Sequence, residues 1–284
     1  MRIAIASGKG GTGKTTVATN LAVALARAGE RPVYVDCDVE EPNGHIFLQP
    51  RIERSQPVRI DVPSVDLEKC DACGLCGELC QFSAILSLKG KALTFPEMCH
   101  ACGGCARVCP RGAIREVPRE IGYLEEGVAG GVRFVGGRLN IGEARSTPLI
   151  DEVKRDAGDD GVVLIDAPPG ASCPAVSAVR GADLALLVAE PTPFGLHDLK
   201  IAVEMIGALG LPAAVVVNRA GLGDQGVDRF CRDAGIPVIQ EIPDDRRVAE
   251  AYSRGELIVE VLPEFERLFI EIFERIRESV VVPG

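Results

Sequence analysis

Short, unbroken apolar runs, most closed by a small, acidic or amide residue, recur along the chain: Arg2–Ala6, Val33–Asp36, Val162–Asp166, Leu184–Ala189 and Ala213–Asn218. Runs of this kind, without polar alternation, predict strands buried on both faces, as in a parallel sheet covered by helices. Between them lie stretches of helical character. Val17–Ala28 is rich in Ala, Leu and Val, Ser146-Thr147-Pro148 is a helix start for Leu149–Ala157, and a further helix is expected near Leu196–Leu209. The last helix, Glu264–Glu278, places Phe265, Leu268, Phe269, Ile272, Phe273 and Ile276 on one side. Strand and helix in alternation predict a doubly wound, mostly parallel α/β sheet.

From about Pro57 the texture changes. Val65–Cys70 and the residues to Ile85 recur loosely as Thr94–Cys99 and the residues to Ile114. Cys70, Cys73, Cys76 and Cys80 return 29 residues later as Cys99, Cys102, Cys105 and Cys109, and Ala84-Ile85 returns as Ala113-Ile114. The segment 115–147 is expected to hold two short strands, Ile121–Leu124 and Val132–Val135, carrying the chain back to the sheet. The organisation read from these shifts is a first sheet segment over 1–57, an α+β insert over 58–118 and a second sheet segment over 119–284.

The 284 residues include 46% hydrophobic positions, ample for a buried core, and a net charge of −10 that argues against nucleic acid as the main partner. No run approaches the roughly 20 apolar residues of a membrane span. The final helix carries five Glu against three Arg, which argues against an anionic membrane surface. The chain enters a strand at once, so no secretory signal is expected. Eleven cysteines in that context point to metal ligation, and to the cytoplasm as the compartment.

The chemistry centres on Gly8-Lys9-Gly10-Gly11-Thr12-Gly13-Lys14-Thr15-Thr16, lying between a strand and a helix. Glycines there let backbone N–H groups turn around a phosphate chain, and the helix aims its positive end at the same anion. The pattern predicts a bound nucleotide, ATP or ADP with Mg²⁺. Lys14 would reach the β- and γ-phosphates and the Thr15 hydroxyl would hold the metal. Val162–Asp166 is an apolar strand ending in an acid, placing Asp166 in the magnesium shell, and Ala167–Gly170 is a switch loop whose backbone near Gly170 can sense the γ-phosphate. Asp36 and Asp38 end another strand at the crevice where ligands of such sheets sit. Cys37, between them, is read as core.

The additional lysine, Lys9, makes this loop resemble the deviant Walker A of the MinD/ParA family of ATPases, which includes the nitrogenase iron protein and the Mrp-type carriers. The resemblance extends over residues 1–50 and 150–260. It implies an ATP-dependent homodimer, or a heterodimer with a paralogue, in which Lys9 crosses the interface to the partner's nucleotide. It implies further that Asp36 lies near Mg²⁺ through water, that Asp38 orients the attacking water, and that Lys14, Asp38 and Lys9 form the catalytic set. Asn218 resembles the family residue that hydrogen-bonds adenine, with Arg219 and the Pro243-Asp244 loop flanking the base.

Each cysteine run is C-x₂-C-x₂-C-x₃-C, which is the spacing of bacterial ferredoxins, and that likeness covers roughly residues 60–117. It implies two [4Fe–4S] clusters with a crossed ligand set. Cys70, Cys73, Cys76 and Cys109 would hold one, and Cys99, Cys102, Cys105 and Cys80 the other. Pro110 follows the last cysteine as the pattern requires, whereas Gln81 stands in its counterpart. His100, between ligands, is expected beside a cluster or exposed. Structural zinc is the competing reading of four-cysteine runs.

Taken together, these motifs resemble MinD-superfamily ATPases with an inserted ferredoxin domain. Two functions follow as alternatives: an ATPase that gates electron transfer to a redox partner protein, or an ATP-dependent scaffold or carrier that builds or delivers a metal centre to a client. Cys173, seven residues after Asp166, sits where iron proteins of the nitrogenase type place an intersubunit cluster ligand. With no second suitable ligand nearby in sequence, it is expected to be a buried structural cysteine.

Overall fold

A computed structural model describes residues 1–88 and 90–281. Residue 89 of the expected insert and residues 282–284 of the expected last segment lie outside them. The chain forms two compact units. One comprises 1–56, 124–138 and 149–284, and the other 57–123 and 139–148.

The strands are β1 Arg2–Ala6, β2 Pro32–Asp36, β3 Arg51–Val65, β4 Ile85–Leu88, β5 Lys91–Thr94, β6 Ile114–Ala129, β7 Val132–Leu139, β8 Val162–Asp166, β9 Leu184–Ala189, β10 Ala213–Ala220 and β11 Val238–Pro243. Nine of them form one sheet in the order β11-β10-β9-β1-β8-β2-β7-β6-β3. From β11 to β7 every neighbouring pair is parallel. The two short strands expected over 121–124 and 132–135 are parts of the much longer β6 and β7. Alternating Arg and Glu in β6 hide its length from an apolar-run criterion, and ion pairs of Glu126 with Arg54 and Arg133 hold those charges in place. Gly130 and Gly131, both at positive φ, turn β6 into β7 as a two-residue hairpin.

The helices are α1 Lys14–Arg27, α2 Gly44–Leu48, α3 Leu75–Leu79, α4 Gly104–Val108, α5 Thr147–Ala157, α6 Cys173–Val179, α7 Pro193–Ala208, α8 Gly226–Asp233, α9 Arg246–Ser253, α10 Ile258–Val261 and α11 Glu266–Val281. In the larger unit α1 and α11 cover one sheet face. Val17, Leu21 and Leu25 of α1 and Phe269, Ile272 and Ile276 of α11 pack onto Ile3, Ile5, Leu164 and Leu186. On the other face α6 lies against β1 and β8, and α7 against β9. The apolar side of the final helix is therefore core. Among the described residues no helix is long and apolar enough to cross a membrane.

The smaller unit repeats itself. The antiparallel β4–β5 pair packs Ile85 and Ala92 with Cys76 and Ile114 in its core. The 29-residue sequence offset is matched by the backbone: positive φ occurs at Ala72 and Ala101, Gly74 and Gly103, and Ser83 and Gly112. Phe95 N–H donates to Ala84 O and Asp66 N–H donates to Ala113 O, two bonds related by the same offset. Local sequence and backbone thus carry one repeat, in which each half starts a one-turn helix at a left-handed glycine.

Candidate functional site

The loop after β1 packs closely against β10 and α7. Gly13 sits at φ 95°, and a Cβ there would lie 2.3 Å from the Asn218 amide nitrogen. A Cβ on Gly8 would lie 1.9 Å from the Asp198 carbonyl oxygen in α7. Packing against backbone therefore fixes glycine at Gly8, and the left-handed turn together with the Asn218 contact fixes it at Gly13. No side chain caps α1, leaving its first N–H groups aimed at the loop. Lys14, although charged, is only 7% exposed. Burial lowers its pKa, and Asp166 and Asp38 oppose that shift.

Three carboxylates lie at this end of the sheet. The register pairs Asp36 of β2 directly with Asp166 of β8. Asp36 Oδ2 accepts the Gly44 N–H at 3.0 Å and Oδ1 accepts the Asp38 N–H at 3.2 Å. Asp166 Oδ2 accepts the Tyr34 hydroxyl at 2.9 Å. Asp166 Oδ1 is buried without a formed hydrogen bond. Burial raises the pKa of Asp166, against the pull of Thr15, Lys14 and Tyr34. Burial first, and then the Asp166 charge, push Asp36 well above the carboxylate range. The same two causes push Asp38 up to about 6, with Lys14 opposing. Two adjoining buried carboxylates, one with an unpartnered oxygen, together with the Thr15 hydroxyl, form a donor set of the kind a hard divalent cation takes. The residues fit Mg²⁺.

Lys9, Gly10 and Gly11 are exposed on the loop. Thr12 is buried, its hydroxyl unpartnered and its carbonyl accepting Asn218 Nδ2 at 2.8 Å. Asn218 is thereby tied to the phosphate loop. Arg219, at positive φ, pairs with Glu190, and Pro243 is exposed at the end of β11. Gly170 donates its N–H to Ser7 O at 3.0 Å, so reaching a γ-phosphate from there requires that bond to give way. Tyr34 had no place in the sequence reading, where it counted as one apolar strand residue among others. A lone hydroxyl in an aliphatic strand was the available signal, since a buried Tyr needs a partner.

In the smaller unit two cavities are each lined by four cysteines. Cys70, Cys73, Cys76 and Cys109 line one, and Cys80, Cys99, Cys102 and Cys105 line the other. Each set joins three residues of one run to the fourth of the other. Cys73 and Cys102 are exposed, and Cys76 and Cys99 are buried. Burial raises the pKa of Cys76 and of Cys105, which occupy equivalent places in the repeat. Backbone N–H groups of Ala101 and Ala113 point at the sulfurs of Cys99 and Cys109, at 3.4 and 3.3 Å. Among the described residues no three Cys, His, Asp or Glu side chains converge closely enough for one metal ion. Four thiols around one cavity, with N–H donors toward sulfur, suit a group that spreads its attachment points over several irons. His100 is exposed and stacks on Phe82.

Cys173 departs from expectation. It is exposed at the first turn of α6, where Pro174 follows it, rather than buried. Cys37 and Cys231 are buried, and burial raises both thiols, Cys231 to about 11.

Fold and loop together define a P-loop nucleotide-binding α/β protein. Residues 3–258 match the family described as CbiA, the CobQ/CobB/MinD/ParA nucleotide binding domain, and the chain belongs to that family. It is similar to an uncharacterized protein of Methanocaldococcus jannaschii, 30% identical over 283 residues and covering 99% of this chain and 98% of that one. It is also similar to the iron-sulfur cluster carrier protein of the same organism, 25% identical, covering 98% of this chain and 84% of that one. Among solved structures it resembles the cell division ATPase MinD of Pyrococcus furiosus, with a TM-score of 0.62 and 26% identity, covering 98% of each chain.

Proposed function

We propose that this chain is an ATP-hydrolysing iron–sulfur protein in which ATP-driven dimerisation is coupled to electron transfer, through two [4Fe–4S] clusters, to a partner protein. The observation that carries the reading is the pair of cavities, each lined by the crossed set of four cysteines that ferredoxin spacing requires. Bound clusters would supply one-electron chemistry. At the other site Lys14 and the α1 N–H groups would bind the β- and γ-phosphates, and Thr15, Asp166 and, through water, Asp36 would hold Mg²⁺. Asp38 orients water in line with the γ-phosphate, and Lys9 reaches the partner's nucleotide across the dimer. Asn218, Arg219 and Pro243 form the base pocket. The likeness to MinD of Pyrococcus furiosus, a cell division ATPase, supports the hydrolytic part.

Delivery of a cluster to a client is the second reading. The relative named as an iron-sulfur cluster carrier and the exposure of one cysteine in each set, Cys73 and Cys102, favour it. Anaerobically prepared protein should carry about eight irons and eight sulfides per chain, as two four-iron cubes imply. Cys70→Ser and Cys99→Ser should each remove about half. Stoichiometric zinc without iron would overturn both readings. Rapid, complete transfer of iron and sulfide to an apo-ferredoxin would favour delivery, and retention of both clusters through repeated reduction and oxidation would favour electron transfer.

A further inference from the structure

The repeat that gives the two cysteine-lined cavities the same backbone does not give them the same closure. Asp71 follows Cys70, and Arg111 lies two places beyond Cys109. Arg111 Nε donates to Asp71 Oδ2 at 2.8 Å. At the equivalent places of the other half stand His100, which follows Cys99, and Phe82, two places beyond Cys80. Their rings stack with centroids 3.6 Å apart and planes 12° from parallel. Each contact therefore joins the loop carrying three cysteines of one cavity to the segment carrying its fourth. Asp71 lines the first cavity, and Phe82 and His100 line the second.

We infer that these contacts are non-equivalent clasps, ionic on the Cys70/Cys73/Cys76/Cys109 site and aromatic on the Cys80/Cys99/Cys102/Cys105 site, and that the first site opens to solvent more readily, in a salt-dependent way. The inference rests on the four-iron reading of the cavities. Its physical basis is the difference in how the two contacts answer to salt. The side chains of Asp71 and Arg111 are 38% and 61% exposed, so water and ions reach their charges. Such a pair is weak and is screened as the Debye length contracts. Stacked rings owe their attraction to buried apolar area and ring quadrupoles, which added salt does not screen away. A second bond, from the Cys73 N–H to Asp71 Oδ1, fixes the aspartate on its own loop. Loss of the arginine then loosens the Cys109 side of the cavity while the aspartate stays in place on the three-cysteine loop.

The test uses the full chain loaded anaerobically with iron and sulfide. Iron captured by a chromogenic ferrous chelator is followed over time, and the clusters that remain are counted by electron paramagnetic resonance after reduction. Release should occur in two phases of equal size. The faster should accelerate at least about threefold between low salt and about 1 M sodium chloride, where the Debye length falls to ~3 Å, with the slower unchanged. Arg111→Gln should make the fast phase faster at low salt and abolish its salt response. Phe82→Leu should accelerate the slow phase alone. Because Arg111→Gln could loosen the whole unit, the paired variant Asp71→His with Arg111→Phe transplants the aromatic contact; it should slow the fast phase and remove its salt dependence. A chain that takes up no iron and sulfide overturns the four-iron reading and this inference with it. A chain holding two clusters that leave in a single phase, or in phases equally sensitive to salt, overturns the clasps alone.

Discussion

Tyr34 donates its hydroxyl to Asp166 Oδ2 at 2.9 Å, inside a sheet face otherwise filled by apolar side chains. Tyr34 is two residues before Asp36, so both project from the same side of β2, toward α1. The phenol thus supports one buried carboxylate while standing beneath another. Tyr34→Phe keeps the ring, which stacks on Phe134, and removes the donor. Tyr34 makes the one side-chain hydrogen bond formed to this buried carboxylate among the described residues, with Asp166 Oδ1 already unpartnered, so the substitution strips that bond away. The expected cost is about 1–3 kcal/mol of stability in the nucleotide-free chain. Thermal unfolding should show the loss, and a smaller one with Mg²⁺ and nucleotide present.

The carboxylates also set a pH dependence opposite to the usual one. Asp36, Asp38 and Asp166 are all raised by burial, Asp38 to about 6. A group whose folded pKa exceeds its unfolded value binds its proton more tightly when folded. The nucleotide-free chain should therefore gain stability from this site as pH falls through about 6 toward 4, and lose it again as pH rises. Carboxylates held low by arginine, such as Glu126, act the other way only below the range of an unfolded carboxyl. Thermal unfolding across pH 5 to 8, with and without Mg²⁺-ADP, checks this. A bound cation would favour the charged forms, so the acid stabilisation should shrink or vanish with ligand. ATP hydrolysis should fall in acid once Asp38 takes up its proton.

Separating binding from turnover assigns the loop residues. Lys14→Ala should abolish ATP binding, because a buried ammonium at the phosphate site has no substitute. Asp38→Ala should leave binding largely intact and stop hydrolysis, the signature of a residue acting on the attacking water. Lys9→Ala should bind ATP and fail to dimerise. Calorimetry with a non-hydrolysable analogue and sedimentation in its presence separate the three; normal dimerisation of the Lys9 variant would remove its role across the interface.

Much of this was legible because the informative signals were local. The glycine loop needs fixed residue types at fixed spacing, and apolar runs such as Val162–Ile165 announce strands buried on both faces. The cysteine repeat likewise named the crossed sets that line the two cavities. What escaped depended on partners distant in sequence. The length of β6 is hidden because its charged residues find Arg54 and Arg133, which no run of apolar positions reveals. Tyr34 became functional only through register with β8. Cys173 differs from its expectation because average cysteine burial says nothing about an exposed helix start followed by proline. The two clasps required both halves of the repeat to be seen folded together.

The last prediction concerns energy exchanged between nucleotide and clusters. The chain passes from Asp38 through α2 into β3, and the boundary of the cysteine-bearing unit falls inside that strand, after Gln56. A change in the backbone around Asp38–Asn43 on ATP binding is thus continuous in sequence with the segment leading to Cys70. Any coupling must be reciprocal for binding free energies. A shift of ~60 mV in one cluster's potential on ATP binding corresponds to ~1.4 kcal/mol for one electron, so reduction would change ATP affinity about tenfold. The two quantities are measurable independently: potentials with no nucleotide, ADP and a non-hydrolysable ATP analogue, and ATP affinity in oxidised and reduced protein. Our expectation is that potentials move little while ATP changes the rate of electron transfer to the partner, because gating by docking needs no redistribution of charge at the clusters. If nucleotide alters neither potentials, nor transfer rates, nor partner affinity, the two units are joined only by the chain, and coupling is excluded.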